Sequence, residues 1–304
     1  MINVHSAYYH TIRDTVRFYF EKILNMPVEV ELADKGVILN FKMIGGLNDD
    51  WEICAALILF YLWKMKEYNI QLTYNLKNNP PLISDFINKY LTAGDGLPNM
   101  VSWIKENSAH AEEIFLLWNQ KQIIQIALEF YAGEKYCSDF YHLAPQYVKL
   151  INGNIDQESI LLDPKLVKII RKYWVGIFTG RGRAETNYIL QKLDWLKWIP
   201  PEAVITLDSG IKKPSALGLN ILRSRFQSKI GLYIGDTMDD FLTVENLNQE
   251  HKETKFLSAI VAGNDLFEKK EKGRIFLPRG LDLLSEDVNQ LLLLLDNIRS
   301  GCAP

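Results

Sequence analysis

The chain has 304 residues with a formal net charge of −3, and 48% of its residues are hydrophobic. This length predicts two domains, and the charge argues against a protein that binds nucleic acid or a membrane surface. No apolar run reaches the length of a membrane span, and the first residues show no basic segment followed by an apolar one, so we expect no signal peptide. The three cysteines are far apart, and we expect a cytoplasmic globular protein.

The first half of the chain shows helical periodicity and many aromatic residues. The pattern predicts helices at residues 8–24, 51–66, 82–91 and 109–130. Clusters of glycine, proline and asparagine separate them, at residues 45–46, 78–81 and 94–98. The apolar stretch at 53–63 is too short to cross a bilayer, and the charged residues on both sides of it indicate a buried helix.

The second half alternates short apolar runs with helical patterns. Strands are predicted at residues 174–178, 203–207, 230–234, 256–261 and 274–277. Helices are predicted at residues 184–196, 215–226, 241–247 and 285–298. This alternation predicts an α/β fold in which crossover helices connect the strands of a parallel sheet. In such sheets the functional side chains lie just beyond the carboxyl ends of the strands.

A cluster of carboxylates follows the third predicted strand. Asp236, Asp239 and Asp240 lie close together in the sequence, and such acids repel one another unless a cation neutralises them. Mg²⁺ prefers oxygen ligands of this kind, usually one or two carboxylates together with phosphate and water. An acidic turn that caps the next helix explains the same residues, because Asp is favoured at helix starts.

Two further strand ends carry residues that suit a phosphate ion. Thr179, Gly180 and Arg181 follow the first strand, where a hydroxyl and free backbone N–H groups can hold a phosphate oxygen. On its own, Thr179 is better explained as an ordinary helix N-cap. Lys213 precedes Pro214 at a helix start and can direct its ammonium group into the cleft, although a surface lysine is common there. The order of these residues on successive strands favours a shared phosphate site.

These residues resemble the second and third motifs of the haloacid dehalogenase-like superfamily, most of whose members are Mg²⁺-dependent phosphohydrolases. The second motif is a Thr or Ser at a strand end, matched by Thr179, and the third is a Lys before a helix, matched by Lys213. The resemblance implies that both are catalytic: Lys213 offsets phosphate charge, and Thr179 contacts the phosphate. Gly180 and Arg181 are expected to line the phosphate site, although Arg181 also fits a surface residue of the following helix.

The fourth motif of that family is Gly-Asp-x-x-x-Asp, matched here by Gly235, Asp236 and Asp240. The resemblance implies that Asp236 ligates Mg²⁺ and that Asp240 assists it. Asp239 is a neighbour that can take the place of Asp240 as a metal ligand.

The resemblance also implies a domain organisation. It predicts a Rossmann-like parallel-sheet core at residues 153–304 and a large helical cap at residues 1–152, of which residues 1–10 lead from the core into the cap. The Gly-Gly-Leu-Asn-Asp-Asp-Trp stretch looks like the cap segment of a subfamily IA branch. Asn48 is the candidate substrate-binding residue of this stretch, and a cluster of residues that caps a helix is the simpler explanation.

The first motif of the family, Asp-x-Asp at the end of the first strand, has no match in this sequence. Its first Asp is the nucleophile, and aspartyl-phosphate catalysis needs it. Neither Asp14, in a helical pattern, nor Asp95, which follows no strand, fits as a replacement. We expect that the sheet closes over the missing strand, that another segment fills its place, or that the protein begins upstream of Met1.

The sequence leads to two functional hypotheses and a weaker third. The first is a Mg²⁺-dependent phosphatase of a small phosphorylated metabolite, inactive in this chain because the nucleophile is missing. The second is a binding or regulatory protein that retains the phosphate and Mg²⁺ site without turnover. The third, a scaffold, leaves the retained acids and lysine unexplained. We expect a small phosphorylated metabolite as the partner, with a homodimer as one oligomeric state, and no nucleic-acid or membrane partners.

Overall fold

The computed structural model describes residues 2–3, 5–44, 49–90, 96–263, 265–299 and 301. The chain divides into two compact units. Unit 1 consists of Met1–Asn3 and Ser159–Pro304, and unit 2 consists of Val4–Glu158. In the sequence, unit 2 is therefore an insertion into unit 1.

The described residues of unit 2 form helices and loops, and none of them forms a strand. The helices are α1 (His5–Phe18), α2 (Lys35–Ile44), α3 (Asp50–Glu67), α4 (Thr73–Asn78), α5 (Ile83–Tyr90), α6 (Leu97–Asn107), α7 (Ala111–Leu117) and α8 (Gln120–Tyr141). One π-helical turn, Tyr19–Ile23, extends α1.

Helix α3 forms the centre of unit 2. Every residue from Ile53 to Lys64 is buried, and the helix packs against α1, α6, α7 and α8. The prediction of a buried helix is confirmed, and none of the described helices is long and apolar enough to cross a membrane. Lys64, the last buried residue, donates from Nζ to the carbonyl oxygen of Leu76 at 2.6 Å. Burial lowers the pKa of its ammonium group to about 8.

The single helix predicted at residues 109–130 is wrong, because α7 and α8 are separate helices. Asn119 interrupts the predicted helix, because its side chain caps α8 by accepting a hydrogen bond from the backbone N–H of Gln122 at 3.1 Å. In the break, Trp118 donates its indole N–H to the carbonyl oxygen of Ala55 in α3 at 2.9 Å. The break therefore anchors an aromatic side chain on the central helix.

Helix α8 bends at Gly133, where the backbone has a φ of +62° that favours glycine. A Cβ there would lie 2.5 Å from the backbone nitrogen of Gly153, so the two segments approach too closely for a side chain. One turn earlier, the fully buried Glu129 accepts hydrogen bonds from the backbone N–H groups of residues 146–148 at 2.7–2.8 Å. This carboxylate holds the segment that follows α8 against the helix.

Unit 1 is a mixed α/β unit in which strands and helices alternate. The strands are β1 (Ile2–Asn3), β2 (Ser159–Ile160), β3 (Ile177–Phe178), β4 (Val204–Ile205), β5 (Ile230–Gly235), β6 (Lys255–Val261) and β7 (Leu283–Ser285). The helices are α9 (Val167–Ile170), α10 (Arg183–Lys192), α11 (Leu217–Arg225), α12 (Met238–Glu250), α13 (Leu266–Phe276) and α14 (Val288–Arg299).

The described strands of unit 1 form three small sheets. Strand β3 pairs with β4, β5 pairs with β6, and β6 pairs with β7, all of them parallel. Strand β1 pairs antiparallel with β2. The parallel pairing is confirmed, whereas a single continuous sheet is not observed among these strands.

The discontinuity lies between β3 and β5. Within the described part of the chain, each of these strands has hydrogen-bonded strand neighbours on one edge alone. A side chain links them instead, because the phenol oxygen of Tyr233 in β5 lies 3.1 Å from the carbonyl oxygen of Phe178 in β3. The sheet has therefore not closed by direct pairing of β3 with β5, and β1 pairs with neither of them.

The strand predicted at residues 274–277 is also wrong. Most of this run ends helix α13, and a 3₁₀ turn, Leu277–Arg279, follows it. The helix is favoured because Asp265 caps it by accepting hydrogen bonds from two backbone N–H groups at 2.9 and 3.1 Å. A short apolar run fits a strand or a buried helix equally well by periodicity, and the helix places Phe276 in the core. The strand that pairs with β6 is β7.

The role of Glu129 gives a test of the fold of unit 2. We expect Glu129→Ala to lower the free energy of unfolding by about 3 kcal/mol, because it removes a fully buried carboxylate and leaves three backbone N–H groups without their acceptor. Glu134→Ala, at an exposed position of the same helix, is the matched control and is expected to change it by less than about 0.5 kcal/mol. Urea unfolding followed by tryptophan fluorescence measures both, and equal effects would contradict the role of Glu129.

Candidate functional site

The acidic cluster lies where strand β5 ends and helix α12 begins. The strand ends at Gly235, Asp236 follows, and Thr237 is the N-cap of the helix. The Thr237 hydroxyl accepts from the backbone N–H of Asp240 at 3.3 Å, and the Asp240 carboxylate accepts from the backbone N–H of Thr237 at 3.1 Å. These two hydrogen bonds form a capping box. The acidic turn is thus a helix cap, as one of its two sequence-based explanations predicts.

Asp240 accepts more hydrogen bonds than a helix cap needs. Its Oδ2 atom also accepts from the backbone N–H of Asp236 at 3.1 Å and from the Thr237 hydroxyl at 2.8 Å. Its Oδ1 atom accepts from the ammonium group of Lys213 at 2.7 Å and lies 3.0 Å from the phenol oxygen of Tyr233. The protein itself therefore saturates this carboxylate, whose side chain is 3% exposed.

The glycine of the Gly-Asp-x-x-x-Asp motif is required by this packing. A Cβ on Gly235 would lie 2.3 Å from Cγ of Asp240, far inside the contact distance of two carbon atoms. The φ of Gly235 lies outside the range that favours glycine, so backbone conformation does not explain the residue. Gly235 is present because the Asp240 carboxylate packs directly on its Cα.

Lys213 and Asp240 form a buried ion pair whose side chains are 11% and 3% exposed. Burial disfavours the charged form of each group, but the attraction between the two charges outweighs it. The pKa of Lys213 is therefore raised and the pKa of Asp240 is lowered. Lys213 therefore stays protonated at neutral pH. Its ammonium group supplies part of the positive charge that balances the acidic cluster.

Tyr233 and Thr237 support the ion pair, and the sequence motifs identify neither of them. Tyr233 has one phenolic hydrogen, which it donates either to Asp240 or to the Phe178 carbonyl oxygen. Burial raises the pKa of this phenol, so it remains neutral and keeps its hydrogen. The signal for Tyr233 is its place two residues before Gly235, which puts both on one face of β5.

Thr179 lies directly after β3, at the strand end where the sequence places it. Its backbone N–H donates to the carbonyl oxygen of Ile205 in β4 at 3.0 Å, and its hydroxyl accepts from the backbone N–H of Arg181 at 3.2 Å. Thr179 is not the N-cap of α10, because that position is Gly182. A Cβ on Gly180 would meet no atom within 4 Å, so the space beside this turn is open.

The guanidinium groups near Thr179 are held by protein partners. Arg181 forms an ion pair with Glu185 at 2.9 Å, with side chains 14% and 5% exposed. Arg183 donates to the carbonyl oxygen of Val204 at 2.8 Å. Its backbone N–H donates to Asp208 at 2.5 Å, so the acid after β4 caps helix α10. These contacts fix the turn after β3 against β4.

The three acids of the sequence cluster do not converge. Asp239 lies inside the first turn of α12 and is 2% exposed. No described residue donates a hydrogen bond to the carboxylate of Asp236, whose charge helps to keep Lys213 protonated. Across the described residues, no group of three or more His, Cys, Asp or Glu side chains is arranged to hold a metal ion. Asp236 is the carboxylate of this cluster that remains available for a ligand.

The candidate substrate-binding residue Asn48 lies outside the described residues. Next to it, Asp49 caps α3 by accepting from the backbone N–H of Trp51 at 2.9 Å. Asp50 forms an ion pair with Lys42 at 2.8 Å. In the described part of this segment, Asp49 therefore caps the first turn of α3 in unit 2.

Three functional groups follow successive strands of unit 1. The Thr179 hydroxyl follows β3, the Lys213 ammonium follows β4, and the Asp236 carboxylate follows β5. A hydroxyl and an ammonium group can bind the oxygens of an anion, and a carboxylate can bind a hard divalent cation. The chemistry of the site therefore suits an anion that is accompanied by a metal ion.

The close packing on Gly235 predicts unequal effects of two alanine substitutions. We expect Gly235→Ala to lower the free energy of unfolding by about 2–3 kcal/mol, because the added methyl group overlaps the Asp240 carboxylate. Gly180→Ala is the control, because its Cβ meets no atom within 4 Å. Thermal unfolding of both variants checks this, and a Gly180→Ala variant that is the less stable of the two would contradict it.

The ion pair predicts a pH-dependent effect of Asp240→Asn. Because the pKa of Asp240 is lowered from 3.8, its stabilisation is fully present above that value and is lost as the pH falls through the folded-state pKa. The substitution leaves Lys213 buried without its counter-charge, which is expected to cost about 3 kcal/mol at neutral pH. In acid the cost shrinks, since the unmodified protein also loses the carboxylate charge. Urea unfolding of both proteins at neutral pH and in acid measures the loss of stability. A loss that is the same at both pH values would contradict the ion pair.

No protein-family model matches the chain, and no curated protein matches it significantly. Among solved structures, the chain is similar to phosphatase Tt82 from Thermococcus thioreducens, with a TM-score of 0.61 and 20% sequence identity. The match covers 99% of this chain and 95% of that chain. The likeness therefore extends over almost the whole of both chains, and at this identity it concerns the fold.

Proposed function

We propose that unit 1 binds a phosphate group together with Mg²⁺, in a site of the haloacid dehalogenase type, and that the ligand is a small phosphorylated metabolite. The observation that carries the proposal is the buried pair of Lys213 and Asp240, 2.7 Å apart, beside the strand end that bears Asp236. Burying a charged lysine costs free energy of desolvation, and ionisable groups in such environments cluster at functional sites. The full-length likeness to Tt82, a phosphatase by name, supports the fold on which this site lies.

Lys213 and Thr179 are the proposed phosphate ligands. The Lys213 ammonium group has three hydrogens, and its bond to Asp240 leaves hydrogens for phosphate oxygens. Thr179 accepts from the backbone with its hydroxyl oxygen and can donate its hydrogen to the phosphate. The open space beside Gly180 admits an oxygen atom close to the backbone. Arg181 borders this space, while its guanidinium remains bound to Glu185.

Asp236 is the proposed primary ligand of Mg²⁺. One carboxylate with phosphate oxygens and water is a common ligand set for this ion. Asp240 assists by holding the backbone of Asp236 through its 3.1 Å hydrogen bond, because its own oxygens are already occupied. Asp239, at 2% exposure, is the less accessible acid of the turn. When bound, Mg²⁺ supplies positive charge that neutralises phosphate oxygens and orients them.

For this chain we propose binding without turnover. Aspartyl-phosphate catalysis needs a nucleophilic carboxylate beside the phosphate. Asp240 is committed to Lys213, and Asp236 is assigned to the metal ion. The competing function is an active phosphatase, and the observation that favours it is that β3 and β5 each have one edge with which no described strand pairs. A strand that pairs with these edges would bring a further side chain to the same end of the sheet.

Calorimetric titration with Mg²⁺ and inorganic phosphate tests the proposed site. We expect saturable phosphate binding that requires Mg²⁺, and a loss of at least about tenfold in affinity for Asp236→Asn. Thr179→Val, which removes one hydroxyl donor, is expected to weaken phosphate binding by about fivefold. Glu250→Gln removes an exposed charge from the far end of α12 and is the control, expected to leave both affinities unchanged.

Hydrolysis of p-nitrophenyl phosphate by the same samples separates the two functions. Binding without hydrolysis supports a binding protein, and hydrolysis that Asp236→Asn abolishes supports a phosphatase. A protein inert to both ions, or one whose affinities do not respond to Asp236→Asn, contradicts the site itself.

A further inference from the structure

A cavity of about 1020 Å³ lies at the end of unit 1 opposite to the site described above. Its lining includes Trp174 and Val175 directly before β3, Pro200 shortly before β4, and Phe226 and Gln227 shortly before β5. These residues precede the strands, whereas Thr179, Lys213 and Asp236 follow them. The cavity is therefore at the amino ends of the strands and is separate from the proposed phosphate site.

The lining of this cavity is basic. Arg171, Lys197 and Arg225 line it, and no acidic side chain does. Lys197 pairs with Asp194, and Arg225 pairs with Glu202. The described residues provide no ion-pair partner for Arg171, whose guanidinium lies 5.6 Å from the ring centroid of Trp198. An adjoining cavity of about 400 Å³ shares Arg171 and Trp198.

The lining is also aromatic, and one ring is unusually exposed. Trp174 is 81% exposed, although large aromatic residues are mostly buried. One of its faces stacks on Phe226, with ring centroids 5.8 Å apart and an interplanar angle of 19°. The opposite face of the Trp174 ring is exposed to solvent. Helix dipoles explain basic residues here, because Arg171 and Arg225 lie at helix C-termini, but they do not explain an exposed indole.

We propose that this cavity binds a nucleoside phosphate. The base stacks on the open face of Trp174, and the phosphate group pairs with the guanidinium of Arg171. An aromatic ring joined to an anion is the ligand chemistry that this lining complements, since stacking and cation contacts act together. The binding is non-covalent and does not depend on the proposed function of the opposite edge.

Titration calorimetry of the full chain with adenosine diphosphate, without Mg²⁺, tests the proposal. We expect saturable binding with a Kd of about 10–100 μM, and a loss of about tenfold in both Arg171→Gln and Trp174→Ala. Trp174→Phe keeps a stacking ring and is expected to retain the affinity within about threefold. Lys270→Gln removes an exposed charge on α13 and is the control, expected to bind normally.

The proposal is overturned if the titration shows no saturable binding, or if neither Arg171→Gln nor Trp174→Ala weakens the binding. Thermal unfolding of each variant confirms that it is folded, and Trp174→Phe keeps the test decisive if Trp174→Ala unfolds. A short single-stranded oligonucleotide that binds more tightly than adenosine diphosphate also overturns it, because the ligand class is then nucleic acid.

Discussion

The ion pair between Lys213 and Asp240 organises the carboxyl end of unit 1. Asp240 accepts hydrogen bonds from Lys213 after β4, from the backbone N–H of Asp236 directly after β5 and from Thr237 at the start of α12, so one carboxylate joins three parts of the fold. Protein groups fill the hydrogen-bonding positions of the buried Asp240 carboxylate, and removing the charge of either partner would leave the other charge buried and unpaired. The absence of a side chain at Gly235 follows from this arrangement, because the carboxylate occupies that space.

The ion pair also divides the acidic cluster by role. The sequence alone shows three neighbouring acids and predicts a metal ion as their common counter-ion. The structure assigns Asp240 to a lysine 27 positions earlier in the chain, a distance in sequence at which motif spacing carries no information about contact. Asp236 is left with a free carboxylate at the same place. The proposed phosphate and metal site therefore consists of a fixed cation and an available anion side by side.

Much of the fold was predictable from local patterns. The buried helix at residues 53–63, the parallel pairing in the second half and the place of Thr179 after a strand all follow from hydrophobic periodicity and turn residues. The failures have local causes too, since the Asn119 and Asp265 side chains cap helices where the apolar pattern alone suggests continuity or a strand. For Tyr233 the sequence offers its place two residues before Gly235, but its role comes from tertiary contacts that no motif marks.

The separation of the sheets between β3 and β5 has consequences for function. Free strand edges expose backbone groups that readily pair with another segment, and here the side-chain bridge from Tyr233 to Phe178 spans the interval. Both strands end beside the proposed phosphate site, so whatever covers these edges also decides whether bound phosphate meets a nucleophile. In the proposed function, phosphate binding therefore does not depend on the nucleophile that catalysis needs.

A crystal structure with Mn²⁺ and phosphate would locate both proposed ligands, because anomalous scattering identifies the metal ion. We expect an anomalous peak about 2.1 Å from a carboxylate oxygen of Asp236, with phosphate between the metal ion, Lys213 and Thr179, and with the Lys213–Asp240 pair intact. A metal ion ligated by Asp240 with the ion pair broken, or an anion bound away from Lys213, would contradict it.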